Sequence, residues 1–298
     1  MQPLRRFAQA QAIALVVRPE ARERLPVRGG PRLSHAAGAL LRSIQVTDSY
    51  GDDRTIQVPV ERPLSVLLDG QEVASLWTLG ASPEWLVLGY LWNQQRVTDV
   101  TRLESISVDW EAGKAAVVTR RGVDTGAGRE AQQLPGIAGR FGTDGNGLVM
   151  QSDGAAAPGI TTAHISRTTL QSVIEGVPQE GAIYQAAGSV HSSALFAGAD
   201  LWVSVEDVSR RNAVDTIIGW MALHGIPGGD KILFTTGRLT AEVIAKAACS
   251  GIRIVVSRKG ITATCHDLAA RLGMTLFGHA VKDRYVCYAG GEHFDAHS

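Results

Sequence analysis

The feature that most restricts the fold of this chain is a regular alternation of short apolar runs with helical patterns after residue 200. Residues 201–205, 231–234 and 252–256 are apolar runs typical of buried strands. Residues 212–224 and 241–249 place apolar side chains at helical spacing between them. A further helix is predicted at 265–272 and further strands at 275–277 and 285–288. This alternation predicts an α/β domain with a mostly parallel sheet.

The preceding part of the chain, residues 44–120, is rich in β-prone runs. Asp69 and Gly70 separate two such runs, and both residue types tolerate the positive φ angles of a tight hairpin turn. Ser82, Pro83 and Glu84 are typical of a helix start, with an N-cap serine, a proline in the first turn and an acid that complements the helix dipole. The sequence therefore predicts a β-rich N-terminal domain with one helix, and an α+β organisation overall.

Two segments lie outside these patterns. Residues 1–45 contain eight arginines and two acids, and we predict that residues 1–43 form a flexible Arg-rich extension. Its apolar stretch at 12–17 is short for an export signal, so a cytoplasmic location is expected. Residues 121–159 are dense in glycine and lack periodicity, which predicts a flexible loop between the β-rich domain at 44–120 and an α/β domain at 160–298.

The bulk composition excludes several classes of protein. The formal net charge is zero, so no overall attraction to nucleic acid or to a membrane surface is expected. Three cysteines, an odd number, argue against a secreted disulfide framework. No apolar run approaches the roughly 20 residues that a membrane-spanning helix needs.

Polar turns follow several predicted strands, at the edge of the sheet where α/β proteins bind ligands. Glu206 and Asp207 end one strand, and Asn212 is the expected N-cap of the next helix. The candidate ligand-binding residues in these turns are Arg210, Thr236, Gly237, Arg238, Ser257 and Arg258. Hydroxyls, guanidinium groups and helix-start N–H groups favour phosphate or carboxylate. Because none of these turns is a Walker A loop or a dinucleotide fingerprint, the prediction depends on their meeting in one cleft.

Thiol chemistry in this chain requires that at least one of its three cysteines be accessible and reactive. Cys249 ends an apolar helix and Cys287 lies in an apolar strand, so both are expected to be buried. Cys265 precedes His266 near a helix start, where a reactive thiolate is the alternative to a buried thiol.

Three segments identify a family. Residues 188–196 (GSVHSSALF), 206–215 (EDVSRRNAVD) and 235–240 (TTGRLT) resemble the FdhD/NarQ family of formate dehydrogenase accessory proteins. The resemblance extends over about residues 44–298, apart from the central loop. It implies a C-terminal half similar in fold to the cytidine deaminases. It also implies a cytoplasmic homodimer that transfers sulfur from a cysteine desulfurase to the molybdenum cofactor of formate dehydrogenase, in its bis-molybdopterin guanine dinucleotide form.

The resemblance also implies site residues. His191 matches the family's G-x-V-H segment, and a structural, hydrogen-bonding histidine is the alternative. Ser209 and Arg211 stand where the family usually has a glycine and a histidine, so this chain lacks the second histidine of that segment.

The family's cofactor-binding turn corresponds to the segment His279, Ala280, Val281, Lys282, Asp283 and Arg284. In this interpretation Lys282 and Arg284 contact a pyrophosphate and Asp283 contacts the edge of a guanine base. A solvated, charged hairpin is the alternative.

The family's sulfur-bearing cysteine lies in a loop upstream of the GSVH-like segment, and residues 121–159 contain no cysteine. The nearest match to the single-cysteine loop of one family branch places Asp144 at the cysteine position, although a simple turn is the alternative. A carboxylate cannot hold a persulfide. The zinc-deaminase motifs are absent, so no metal site is predicted. Two functions stay open: an accessory protein that assists sulfuration of the bound cofactor, and a cysteine-less paralogue that binds the cofactor as a chaperone. A generic anion-binding enzyme is a more distant third.

Overall fold

A computed structural model describes residues 14–18, 21, 26–36, 38–120, 140–143, 148–151, 163–177 and 182–298. Its α-helices are α1 (Pro83–Asn93), α2 (Arg167–Gly176), α3 (Ala182–Ala187), α4 (Arg210–Leu223), α5 (Ala241–Cys249) and α6 (Ala263–Arg271). The strands before α2 are β1 (Leu15–Val17), β2 (Arg32–Leu33), β3 (Leu41–Thr47), β4 (Asp53–Pro59), β5 (Arg62–Leu68), β6 (Gln71–Thr78), β7 (Leu103–Asp109), β8 (Lys114–Thr119), β9 (Arg140–Thr143), β10 (Leu148–Gln151) and β11 (Ile165–Ser166). The later strands are β12 (His191–Ala197), β13 (Asp200–Asp207), β14 (Lys231–Thr235), β15 (Ile254–Ser257), β16 (Thr275–Val281), β17 (Arg284–Ala289) and β18 (Phe294–Asp295).

The largest sheet has the strand order β1-β13-β12-β14-β15-β16-β17. Helices α4, α5 and α6 pack on one face of it, and α2 packs on the other. The α/β class predicted from the sequence is confirmed. The expectation of a mostly parallel sheet holds only for the two pairs among β14, β15 and β16, because the other four pairs are antiparallel. The β12–β13 and β16–β17 connections are too short for a parallel crossover, which forces the antiparallel pairing.

A second sheet of five strands, ordered β2-β7-β8-β5-β6, forms the β-rich part of the chain. Its β5–β6 hairpin turns at Asp69 and Gly70, whose φ angles are 49° and 84°. The predicted hairpin and the predicted helix start at Ser82 are therefore confirmed. Helix α1 covers this sheet and also lies against α4, so it connects the two halves of the protein.

The N-terminal segment contributes strands to both sheets. Strand β1 pairs antiparallel with β13 and forms the edge of the large sheet, and β2 pairs parallel with β7. Within the described part of residues 1–43, the apolar Leu15–Val17 covers an edge of the large sheet that would otherwise be open. Residues 121–159 include the paired strands β9 and β10; the division of the chain into domains stays a prediction. Among the described helices, none is long and apolar enough to cross a membrane.

Candidate functional site

One edge of the large sheet brings together the turns selected from the sequence. Strands β13, β14, β15 and β16 run in the same direction, so their carboxyl ends lie along this edge. Strand β12 runs the opposite way and begins there at His191, opposite Asp207 of β13. The edge therefore carries the first residue of one strand and the turns that follow four others.

A cavity of about 530 Å³ opens at this edge. It is lined by Tyr184, Gly188, Ser189, Val190, His191, Ser192, Val208, Thr236, Arg258, Lys259 and Val281. Four of the residues selected from the sequence, His191, Thr236, Arg258 and Val281, share this cavity. Lys259 also lines it and adds a second cationic side chain beside Arg258.

Hydrogen bonds between β12 and the turn after β14 fix the floor of the cavity. The backbone N–H of Thr236 donates to the Ser192 carbonyl oxygen over 2.9 Å, and the Ser192 N–H donates to the Thr236 Oγ1 over 3.0 Å. Ser257, by contrast, is fully buried. Its hydroxyl donates to the Gly237 carbonyl oxygen over 2.7 Å and accepts the Lys259 N–H over 2.9 Å. Ser257 therefore joins two turns and is not part of the cavity lining.

Arginines extend the positive charge beyond the cavity. A Cβ on Gly237 would lie 2.7 Å from Cδ of Arg210, so the glycine leaves space for the arginine stem. Burial, followed by the charges of Arg238 and Arg211, lowers the pKa of Arg210. Arg211 forms an ion pair with Glu242 over 2.7 Å. Arg210 and Arg238 thus lie beside the cavity, outside its lining.

Two polar residues of the cavity lining, His191 and Arg258, differ in charge. Burial and the nearby Arg210 lower the pKa of His191, which favours a neutral imidazole at neutral pH. The guanidinium of Arg258 lies 5.7 Å from the ring centroid of Phe234, and its backbone N–H donates to the Thr235 carbonyl oxygen over 3.1 Å. Arg258 is therefore a cation whose guanidinium packs against the Phe234 ring, and His191 is a hydrogen-bonding group without a net charge.

The segment 279–284 contacts the cavity only through Val281, the last residue of β16. Ala280 is fully buried in the core, so its side chain cannot meet a ligand. His279, Lys282, Asp283 and Arg284 are exposed and are not among the lining residues. The expectation that these residues bind a cofactor stays a prediction.

The acidic end of β13 has a structural role that sequence analysis missed. The Asp207 carboxylate accepts hydrogen bonds from the Thr78 hydroxyl (2.6 Å), the Ser209 N–H (2.9 Å) and the Asn212 side chain (3.0 Å). Burial raises the pKa of Asp207 to about 6. Asn212 is not the N-cap of α4, since Ser209 occupies that position. Instead Asn212 donates to the Trp77 carbonyl oxygen over 2.7 Å and, with Asp207, connects the two sheets.

None of the three cysteines lines the cavity. Burial raises the pKa of both Cys249 and Cys265 to about 12, and it also raises the pKa of Cys287. All three are therefore thiols at neutral pH, and the reactive alternative for Cys265 is wrong. Asp144 lies outside the described residues. Within the described part of the chain, no group of three or more His, Cys, Asp or Glu side chains could hold a metal ion.

The fold and the cavity define a mixed α/β protein with a basic pocket at the carboxyl edge of its main sheet. Residues 59–295 match the FdhD/NarQ family, and the chain belongs to this family. It is 28% identical over 238 residues to the sulfur carrier protein FdhD of Bacillus pumilus, covering 79% of this chain and 89% of that protein. It is 27% identical over 256 residues to the protein of the same name from Halalkalibacterium halodurans, covering 84% and 93%.

A solved structure shares the fold. The crystal structure of a formate dehydrogenase accessory protein from Desulfotalea psychrophila superposes with a TM-score of 0.65 at 22% sequence identity. The match covers 85% of this chain and 98% of the other. At this identity the likeness shows the architecture alone.

Proposed function

We propose that this protein is a formate dehydrogenase accessory protein that binds the molybdenum cofactor, in its guanine dinucleotide form, and holds it during maturation. The family match and the relatives named sulfur carrier protein FdhD support an accessory role, and the protonated thiols described below distinguish this role from sulfur transfer by the chain itself. The single observation that supports it most is the basic cavity at the strand ends. In this proposal the partners are a cysteine desulfurase and the catalytic subunit of formate dehydrogenase, and the protein acts as a cytoplasmic homodimer.

The cavity suits the anionic, nucleotide part of such a ligand. Its volume of about 530 Å³ lies within the range of about 300–1,000 Å³ typical of small-molecule sites. Arg258 and Lys259 supply positive charge, and an arginine fork matches phosphate oxygens in a bidentate manner. Neutral His191 and the hydroxyl of Thr236 add polar contacts. The bound cofactor would supply the metal centre, while these residues would bind and orient its phosphates.

The thiols distinguish this role from sulfur transfer by the protein itself. A persulfide carrier needs an accessible thiolate, because the thiolate is the nucleophile in sulfur exchange. The pKa values of Cys249 and Cys265 are raised to about 12, and all three cysteines lie outside the cavity lining. The cofactor-binding chaperone is therefore the better supported of the two alternatives.

Guanosine diphosphate is expected to bind the wild-type protein, and Arg258→Ala is expected to weaken binding by about tenfold to a hundredfold, because charge-assisted hydrogen bonds to phosphate are lost. Isothermal titration calorimetry measures both affinities. Arg271→Ala is the matched control, since Arg271 is exposed at the far end of α6. Absence of binding to the wild type would contradict the proposal, as would equal affinities for the two variants. Lys282→Ala, measured alongside, tests whether the turn at 279–284 takes part.

Incubation with a cysteine desulfurase and radiolabelled cysteine is expected to leave no reducible sulfur on the wild-type protein, because every cysteine is protonated and part-buried or buried. The variant Asp144→Cys restores a thiol at the position that the family resemblance assigns to the sulfur-bearing cysteine, and it is expected to gain label. Label on Cys265 of the wild type would favour sulfur transfer over the chaperone role.

A further inference from the structure

One wall of the cavity is formed by the short helix α3 and the residues that follow it. Tyr184, Gly188 and Ser189 of this wall all line the cavity. Tyr184 is the only tyrosine, tryptophan or phenylalanine among the lining residues, and 39% of its surface is exposed. An aromatic ring at the wall of a phosphate-binding cavity is suited to stack on a planar base.

Helix α3 is too short to be stable by itself. It has six residues, and an isolated helix of that length is not stable in water. Ile183 is the only one of its residues that is buried in the core. The position of Tyr184 must therefore depend on contacts from outside the helix.

The side chain of Glu206 supplies one such contact, through two hydrogen bonds to the backbone of α3. Its Oε2 accepts the backbone N–H of Ile183 over 3.0 Å, and its Oε1 accepts the N–H of Tyr184 over 3.1 Å. Glu206 is 3% exposed and lies opposite Ser192 in the β12–β13 pairing. Burial raises the pKa of Glu206, whereas hydrogen bonds from the Ile183 N–H, the Tyr184 N–H and the Ser192 hydroxyl lower it. A buried carboxylate is costly unless hydrogen bonds compensate it, so the two amides of α3 and the Ser192 hydroxyl stabilise it together.

We infer that Tyr184 stacks on the base of a nucleotide bound in this cavity, and that Glu206 is the positioning residue that places Tyr184 there. This inference rests on the proposed function, because it assumes that the cavity binds a nucleotide. It adds a division of roles within the site: the cationic residues bind phosphate, and the wall formed by α3 recognises the base.

Guanosine diphosphate and inorganic pyrophosphate together test the inference. Tyr184→Ala and Glu206→Gln are each expected to lower the affinity for guanosine diphosphate about tenfold, since one stacked base is lost. Both variants are expected to leave the affinity for pyrophosphate unchanged. Tyr184→Phe should retain wild-type affinity for both ligands, because it keeps the ring. Asp200→Asn, at the exposed opposite end of β13, is the matched control.

Hydrogen exchange of the free protein gives a readout that does not depend on ligand. In Glu206→Gln the new side-chain amide would present an N–H group to an α3 N–H, so faster exchange is expected at Ile183 and Tyr184, while the amides of β13 keep their protection. Equal losses for the two ligands, or unchanged affinity of Tyr184→Ala for guanosine diphosphate, would overturn the inference. If the wild type binds neither ligand, the proposed function itself fails, and the exchange at α3 still reports whether Glu206 holds the helix.

Discussion

Replacing Gly89 by alanine is expected to lower the free energy of unfolding by about 3 kcal/mol or more, although alanine is favoured over glycine in a helix by about 1 kcal/mol. A Cβ at Gly89 of α1 would lie 1.8 Å from the Asp215 carbonyl oxygen of α4. The obstacle is backbone, which cannot rotate away as a flexible side chain can. The two helices would have to separate, and the core between them would lose its packing. Urea unfolding followed by circular dichroism measures the change.

The close approach of α1 and α4 predicts the same loss of stability for a substitution at Gly219 of α4, and Gly229 offers a control. A Cβ at Gly219 of α4 would lie 1.9 Å from the Trp85 carbonyl oxygen of α1, so Gly219→Ala is expected to be similarly unstable. Gly229→Ala is the control, because its Cβ would meet no atom within 4 Å, and its stability is expected to stay within about 0.5 kcal/mol of the wild type. If Gly89→Ala and Gly229→Ala had equal unfolding midpoints, the helices would separate without loss of stability, which would contradict the prediction.

Strand β12, which was not predicted from the sequence, explains why the large sheet is not mostly parallel. Strand β12, residues His191–Ala197, has five successive buried residues and so lacks the alternation that marks a half-exposed strand. It inserts antiparallel between β13 and β14, which the alternation of strands and helices alone could not indicate. The turn after it contains Gly198 with a φ of 58°, and that glycine was the available signal for a hairpin.

The convergence of the turns could be predicted, whereas the role of each side chain could not. The direction of β14 and β15 follows from the intervening helix, so the turns at Thr236 and Arg258 had to reach the same edge. Ser257 differs from Arg258 by one position, yet its side chain faces the interior. Glu206 was selected as an acid at the sheet edge, but its contact with α3 joins residues more than twenty positions apart in the sequence. Only the folded structure brings such groups together.

Replacing Lys246 by methionine is expected to lower the free energy of unfolding by about 3–5 kcal/mol, because it leaves a buried carboxylate without its cation. The Lys246 Nζ lies 2.8 Å from Oδ2 of Asp215 and 3.1 Å from Oε1 of Glu242, and both the Lys246 and Asp215 side chains are almost fully buried. Burial alone would lower the pKa of Lys246, but these two carboxylates outweigh it and raise the pKa. Asn93 is then the remaining donor to Asp215, through its Nδ2 at 2.6 Å. Urea unfolding at neutral pH measures the loss, with the exposed Lys114→Met as the control.

The charge on Asp215, and not the lost volume of Lys246, is the expected cause of this instability, and two results separate the causes. Burial without a cation raises the pKa of a carboxyl, so the folded variant binds a proton that the unfolded chain releases. Its deficit relative to the wild type should therefore shrink as the pH falls from about 7 to about 5. The double variant Lys246→Met/Asp215→Asn, which has no charge to bury at position 215, should be more stable than Lys246→Met alone. A deficit that is independent of pH and additive in the double variant would instead assign the loss to packing among α1, α4 and α5.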